Sequence, residues 1–127
     1  MEDFEPISSY SRKQALEDGV LIDITKTAKE AGVKFPTAMT SAAYEDCVSW
    51  TQKSGVQDES GRLWDVAWMF SRAAIRSWSS DRQITFSLFR VPNKAKCRDP
   101  KPVILKAVIG PGDNMEPVIT IMCLDED

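Results

Sequence analysis

The pattern of apolar and polar residues changes from helical to alternating along this chain. In the first half, apolar side chains recur every three or four residues between capping serines, threonines and glycines, which predicts short helices. We expect these helices over residues 12–18, 25–32 and 41–52. Residues 20–24 are a short apolar run between the first two, and this run predicts a strand or an extended segment.

Residues 62–78 carry the strongest helical pattern in the sequence. Polar side chains occupy one narrow stripe of this predicted helix, and apolar side chains cover most of the rest. Such a helix is expected at the centre of the core, between a sheet and other helices. We therefore expect its tryptophans to pack in the core, with base stacking as the alternative, and Trp68 beside the stripe to be the exception. The stripe comprises Arg62, Asp65, Arg72 and Arg76, and the residues assigned to the core include Leu63, Trp64, Phe70, Ala74 and Ile75.

The C-terminal third alternates between apolar and polar residues. Residues 84–91, 102–109 and 117–123 are rich in β-branched side chains and are separated by short loops. This arrangement predicts a three-stranded antiparallel β-meander. We expect an α+β fold in which the N-terminal helices pack on one face of that sheet, as a single domain over residues 1–127, with residues 1–9 as a flexible acidic arm.

The composition of the chain restricts the cellular compartment that we expect for it and the reactions that it could catalyse. No apolar run approaches the ~20 residues that a membrane-spanning helix needs, and the acidic first residues do not resemble a secretory signal. Three widely spaced cysteines, Cys47, Cys97 and Cys123, favour reduced thiols and a cytoplasmic protein. The sequence has no histidine, which excludes the ordinary forms of triad hydrolases and zinc enzymes. We expect no metal ion, cofactor or membrane contact and assign no catalytic residue. An enzyme that uses carboxylate, arginine and tyrosine groups, such as Asp65, Arg62 and Tyr10, is the least favoured alternative.

The charges are strongly sorted along the chain. Residues 62–106 carry ten basic and three acidic side chains, whereas the remaining sequence carries six basic and sixteen acidic ones. The net charges of these two parts are +7 and -10, although the whole chain has a formal net charge of only -3. A field sorted in this way steers charged partners to one region of the surface, which indicates a binding function.

Several stretches of the sequence resemble an uncharacterised bacterial family of small domains of unknown function. The resemblance covers nearly the whole chain, and it carries over no activity, cofactor or site residue. Members of that family occur on chromosomes and on plasmids or other mobile elements, so the resemblance implies a bacterial cytoplasmic protein with an accessory role in mobile-element biology. The stretches are residues 10–23, 31–36, 61–66, 110–113 and 116–122.

The leading hypothesis is a non-enzymatic binding module for a protein partner. Acidic small domains can occupy the basic nucleic-acid channels of other proteins, so an antagonist of a bacterial defence complex, of the anti-CRISPR or anti-restriction type, fits this class. Self-association, with the basic region of one copy against the acidic termini of another, is a further alternative. The acidic surface assigned to partner binding comprises Glu2, Asp3, Glu5, Glu17, Asp18, Asp58, Glu59, Asp125, Glu126 and Asp127.

The alternative hypothesis is a binder of nucleic acid or of a phosphorylated ligand. Residues 92–101 form the densest basic cluster and are expected to connect two strands, where exposed cations can contact phosphates. The competing interpretation of this loop is a solvated connection that keeps strand edges from aggregating. The anion site assigned under this hypothesis comprises Arg72, Arg76, Lys94, Lys96, Arg98 and Lys101.

Overall fold

A computed structural model describes residues 10–53, 55, 57–77 and 82–126. The acidic arm expected at residues 1–9 lies outside the described residues. The described residues form four helices and five strands. The helices are α1 (Arg12–Glu17), α2 (Thr25–Glu30), α3 (Ser41–Cys47) and α4 (Glu59–Ser77), and the strands are β1 (Leu21–Asp23), β2 (Thr37–Thr40), β3 (Gln83–Arg90), β4 (Lys101–Pro111) and β5 (Pro117–Cys123).

The five strands form one mixed sheet in the order β1-β2-β5-β4-β3. β3, β4 and β5 are paired antiparallel, as are β1 and β2. β2 and β5 are parallel, with Met39 opposite Ile121. The prediction of a three-stranded antiparallel sheet was therefore wrong, because two N-terminal strands extend the meander and join it through a parallel pair.

The strand β2 was absent from the sequence prediction, which placed no element between the helices expected at residues 25–32 and 41–52. The strand has only four residues, and three of them are buried, so it shows no alternation. Its conformation is set by its two neighbours, β1 on one side and β5 on the other. Pairing with residues so distant in sequence leaves no local signal.

The main core lies between the sheet and the helices α2, α3 and α4. Phe70 of α4 packs against Phe86 of β3 with ring centroids 5.6 Å apart. β3 alternates as expected, with Ile84, Phe86 and Leu88 buried. The core cluster also draws on α2, α3 and the strands β2, β4 and β5, since it includes Ala28, Met39, Ala43, Cys47, Leu105, Ala107, Ile119 and Ile121.

The helices do not all lie on one face of the sheet. Arg12 of α1 donates from Nη1 to Oγ1 of Thr120 at 2.7 Å. Thr120 lies between the core residues Ile119 and Ile121, so its side chain points to the opposite face. The first turn of α1 therefore lies on that opposite face, which corrects the prediction of helices on one face only.

The helix α4 is central, but the orientation predicted for it was partly wrong. Val66, Ala67, Phe70 and Ala73 face the core. Trp64, Trp68 and Ile75 point outward, with 37%, 41% and 66% of their surfaces exposed, although Trp64 and Ile75 were assigned to the core. Arg62, which was assigned to the polar stripe, is only 3% exposed because the segments before and after α4 cover it.

Candidate binding surfaces

Arg62 fixes the first turn of α4 to the adjoining loops. Its Nε donates to the carbonyl oxygen of Val48 at 2.9 Å, and its Nη1 donates to that of Val91 at 2.8 Å. Its guanidinium also lies over the ring of Trp50, 5.1 Å from the centroid. Burial lowers the pKa of this guanidinium from its ordinary value. Arg62 therefore joins the segment after α3 and the start of the basic loop 92–101 to one helix.

The side chain of Asn93 holds the basic loop against the segment that follows α3. Its Oδ1 accepts hydrogen bonds from Thr51 N at 3.0 Å and from Gln52 Nε2 at 3.1 Å. The loop then turns tightly, since Cys97 N donates to Lys94 O at 3.3 Å and Lys96 adopts a left-handed φ of 66°. These contacts give the loop a defined shape.

Four cations surround a pocket of about 230 Å³ between this loop and residues 52–53. In the part of the chain that the structure describes, no acidic side chain lines it. Among the residues that the structure describes, none of the four cations is paired with a carboxylate. We call this feature the cationic pocket, and it is lined by Gln52, Lys53, Lys94, Ala95, Lys96, Cys97 and Arg98.

A larger cleft of about 850 Å³ adjoins the cationic pocket and shares Lys94 with it. This cleft lies between α3 and the loop, and it has mixed charge. Arg90 is neutralised there by Asp46, with Nη2 and Oδ1 2.9 Å apart. Glu45 and Lys101 also line it. Lys101 therefore lines the larger cleft and not the cationic pocket.

The other two residues of the predicted anion site lie elsewhere. The buried Arg62 marks the end of α4 beside the basic loop. Arg72 and Arg76 follow ten and fourteen residues later, about 15 and 21 Å along the helix axis. The structure thus brings Lys94, Lys96 and Arg98 together and separates them from Arg72 and Arg76.

Aromatic and basic side chains form a row along the outer side of α4. Trp64 and Trp68 are stacked, with centroids 5.8 Å apart and an interplanar angle of 20°. The guanidinium of Arg72 lies over Trp68, 4.4 Å from its centroid. Trp68 thus contacts both Trp64 and Arg72, and 41% of its surface remains exposed to a partner. We call Trp64, Trp68, Arg72, Ile75 and Arg76 the α4 row.

A groove of about 220 Å³ separates the α4 row from β3. It is lined by Trp68 and Met69 on the helix and by Leu88 and Phe89 on the strand. Phe89 is 69% exposed. Within the described residues, β3 pairs only with β4, so its other edge is open. The α4 row and the β3 edge therefore form a continuous, partly apolar surface.

The residues of the predicted acidic surface fall into three groups. Glu17 is the last residue of α1 and Asp18 follows it, whereas Asp125 and Glu126 follow β5. The start of α3 connects these two groups, because Ser41 N donates to Val20 O and Thr40 Oγ1 donates to Glu126 Oε2. Asp58 directly precedes α4, and Glu59 is its first residue. Glu2, Asp3, Glu5 and Asp127 lie outside the described residues.

Several of these carboxylates already have partners within the chain. Asp58 Oδ2 accepts from Gly61 N at 3.0 Å, and Glu59 Oε2 accepts from Trp50 N at 3.0 Å. Asp18 Oδ2 accepts from the Tyr10 hydroxyl at 2.6 Å. Glu17 and Asp125 are exposed. Capping and anchoring therefore account for part of the acidic surface.

The three thiols are free, and two of them are shielded. Burial raises the pKa of the Cys47 thiol to about 12, and burial together with Glu126 raises that of Cys123 to about 11. In the described part of the chain, no three cysteine or acidic side chains lie close enough to hold a metal ion. None of the helices described has the length and apolar character needed to cross a membrane.

Sequence reasoning missed Gln52 and Lys53 of the cationic pocket and Phe89 beside the α4 row. Lys53 lies outside the basic loop 92–101 and was assigned to neither predicted surface. Its place in the pocket depends on the contacts of Asn93, which join segments about forty residues apart in sequence.

Comparison with known proteins gives the chain a family. No curated protein and no solved structure matches it. A family profile matches residues 1–127, the whole length of the sequence given. The chain belongs to the family of unknown function DUF6573.

Proposed function

We propose that this protein is a non-enzymatic binding module that recognises a partner protein through the α4 row and the adjoining β3 edge. The observation that carries the proposal is the exposed pair of stacked rings of Trp64 and Trp68, with the half-buried Arg72 over Trp68. Tryptophan and arginine are enriched among the few residues that dominate the binding energy of protein interfaces. Here the stack is already formed, so little side-chain freedom is lost on binding.

The groove beside the row favours an extended segment of the partner. The open edge of β3 offers backbone donors and acceptors to an added strand. Alternate side chains of such a strand would lie against Phe89 and Trp68, which line the groove. Arg72 is available for a polar contact at the rim of the groove. Within the described residues its one hydrogen bond is to Ser71 Oγ, at a long 3.4 Å.

Base stacking is less well supported than protein binding at this row. A nucleobase needs the free face of an aromatic ring, and the contacts of Trp68 with Trp64 and Arg72 reduce the ring surface open to one. Asp65 also lines the groove and would repel a phosphate backbone.

The exposed carboxylates of Glu17 and Asp125 support a second contact with a basic partner surface. The nucleic-acid channel of a bacterial defence complex is such a surface, and an antagonist carried by a mobile element would use it. We place this activity in the cytoplasm, where three unpaired thiols persist in reduced form. Reversing both charges, with Glu17→Lys and Asp125→Lys, is expected to slow association and to weaken its dependence on salt.

The experiment compares partner capture by the wild-type chain and by a Trp64→Ala, Trp68→Ala variant. Tagged protein is incubated with nuclease-treated bacterial lysate, and bound proteins are identified by mass spectrometry. A partner is expected to be retained stoichiometrically by the wild type and to bind the double variant at least tenfold more weakly when purified. Light scattering of the pure protein distinguishes a foreign partner from a second copy of the chain.

Tyr10→Ala provides the control for removal of an exposed aromatic side chain. Tyr10 is 52% exposed and lies outside the α4 row. Its removal is expected to leave capture unchanged. Equal affinity of the wild type and the tryptophan variant for every captured protein would contradict the proposal.

A further inference from the structure

We infer that the cationic pocket is a second binding site, for the phosphoryl group of a small phosphorylated molecule. The structural basis is the convergence of Lys53, Lys94, Lys96 and Arg98 on one pocket with no acidic side chain in its lining. This site is separate from the α4 row and does not depend on the proposed function.

The charges of this pocket are not balanced within the described chain. Lysine and arginine side chains on a surface normally alternate with acidic ones, and like charges in close proximity repel one another. Asp99 follows Arg98 in sequence, yet it does not line the pocket. An anion placed between the four cations would relieve their repulsion and gain charge-assisted hydrogen bonds from each.

The loop is shaped before any ligand binds. Asn93 ties it to Thr51 and Gln52, and the turn from Lys94 to Cys97 requires the left-handed conformation of Lys96. Left-handed backbone is unfavourable for a lysine and persists where surrounding contacts impose it. A preformed loop lowers the entropic cost of binding.

The adjoining cleft limits what can be attached to the phosphoryl group. It shares Lys94 with the pocket, so one ligand can extend from the pocket into the cleft. The charges of the cleft largely compensate one another, since Asp46 pairs with Arg90 and Glu45 lines the cleft together with Lys101. The cleft therefore offers a second phosphate no unbalanced group of cations, and a ligand with one phosphorylated end and an uncharged remainder fits better than a nucleic-acid strand.

The test is calorimetric titration of the whole chain with ribose 5-phosphate, pyrophosphate and a ten-residue oligothymidine at low salt. We expect ribose 5-phosphate to bind with one-to-one stoichiometry and to weaken as salt is added, because salt screens the charges. A Lys96→Ala, Arg98→Ala variant is expected to bind it at least tenfold more weakly. The control is Lys26→Ala, Lys29→Ala, which removes the same charge from exposed positions on α2 and should bind like the wild type.

Alkylation of Cys97 gives an independent readout, because this thiol lines the pocket. Ribose 5-phosphate is expected to slow its reaction with iodoacetamide in the wild type and not in the Lys96→Ala, Arg98→Ala variant. Absence of binding by all three probes, or equal weakening in both double variants, would overturn the inference. Tighter binding of the oligothymidine through Lys96 and Arg98 would overturn the small-molecule assignment and identify a nucleic-acid site.

Discussion

Arg62 shows how far the role of one residue can depart from its type. An arginine in a helix is ordinarily exposed, but this one is buried and satisfies the carbonyl groups of Val48 and Val91. Its stacking over Trp50 covers the guanidinium further. Arg62 thus stabilises the contact between the start of α4, which carries the α4 row, and the segments that form the cationic pocket.

Replacing Arg62 with alanine is expected to lower the free energy of unfolding by about 3 kcal/mol, because two buried carbonyl groups lose charge-assisted hydrogen bonds. Arg62→Lys should recover only part of this loss, since an ammonium group lacks the planar fork that reaches both oxygens. Urea denaturation measures both effects. Arg98→Ala, at an exposed position, is the control and should change stability by less than about 0.5 kcal/mol. Equal stability of Arg62→Ala and the control would contradict the role of Arg62.

At the scale of elements, α1 is a helix held in place by a distant turn. Six residues are too few for a stable isolated helix. Asp113, between β4 and β5, accepts hydrogen bonds from Arg12 N at 2.8 Å and from Lys13 N at 3.0 Å. These backbone donors lower the pKa of the Asp113 carboxyl, with a further contribution from the charges of Arg12 and Lys13.

This shift predicts a pH-dependent contribution of Asp113 to stability. The folded pKa is below the unfolded value of about 3.9, so the contribution is fully present above that pH and is lost as the pH falls through the folded pKa. We expect Asp113→Ala to be less stable than the wild type at pH 7 and the difference to shrink on acidification. Urea denaturation across this pH range measures it. Asp99→Ala, at an exposed position, is the control. A stability difference between the wild type and Asp113→Ala that does not change with pH would refute the role of Asp113 in holding α1.

The elements differ in how well the sequence predicted them. The helix α4 was predictable from its long helical pattern, β3 from its alternation, and β4 and β5 from their β-branched residues. The exposure of Trp68 agrees with its predicted place beside the polar stripe, whereas that of Trp64 and Ile75 was not predictable, since the helix has apolar residues on two sides. The basic loop could be identified from its closely spaced cations. Its proximity to Lys53 could not be predicted, because it depends on how the chain folds.

At the scale of the whole molecule, one core connects nearly all elements. The core cluster includes side chains from the helices α2, α3 and α4 and from the strands β2, β3, β4 and β5. A core shared in this way favours a single cooperative unfolding transition.

We therefore expect tryptophan fluorescence and far-ultraviolet circular dichroism to report the same urea midpoint. Phe70→Ala should lower both midpoints together, since removing this buried ring costs about 3–5 kcal/mol. Ile75→Ala, at a 66% exposed position on the same helix, is the matched control and should shift the midpoints little. Separate transitions for the two probes would show that the helices and the sheet unfold independently.

The position of β5 has a consequence for how the chain folds during synthesis. β5 lies between β2 and β4, yet it is the last of the five described strands to be made. At about 5–20 residues per second, a ribosome needs about 4–15 s to proceed from the end of β2 to the start of β5. During that time β2 has no partner on one side, and Met39 and Ala38 have no sheet to join there. The sheet of a nascent chain therefore stays incomplete until β5 has been made. Until then the unpaired edge of β2 is exposed to chaperones and proteases.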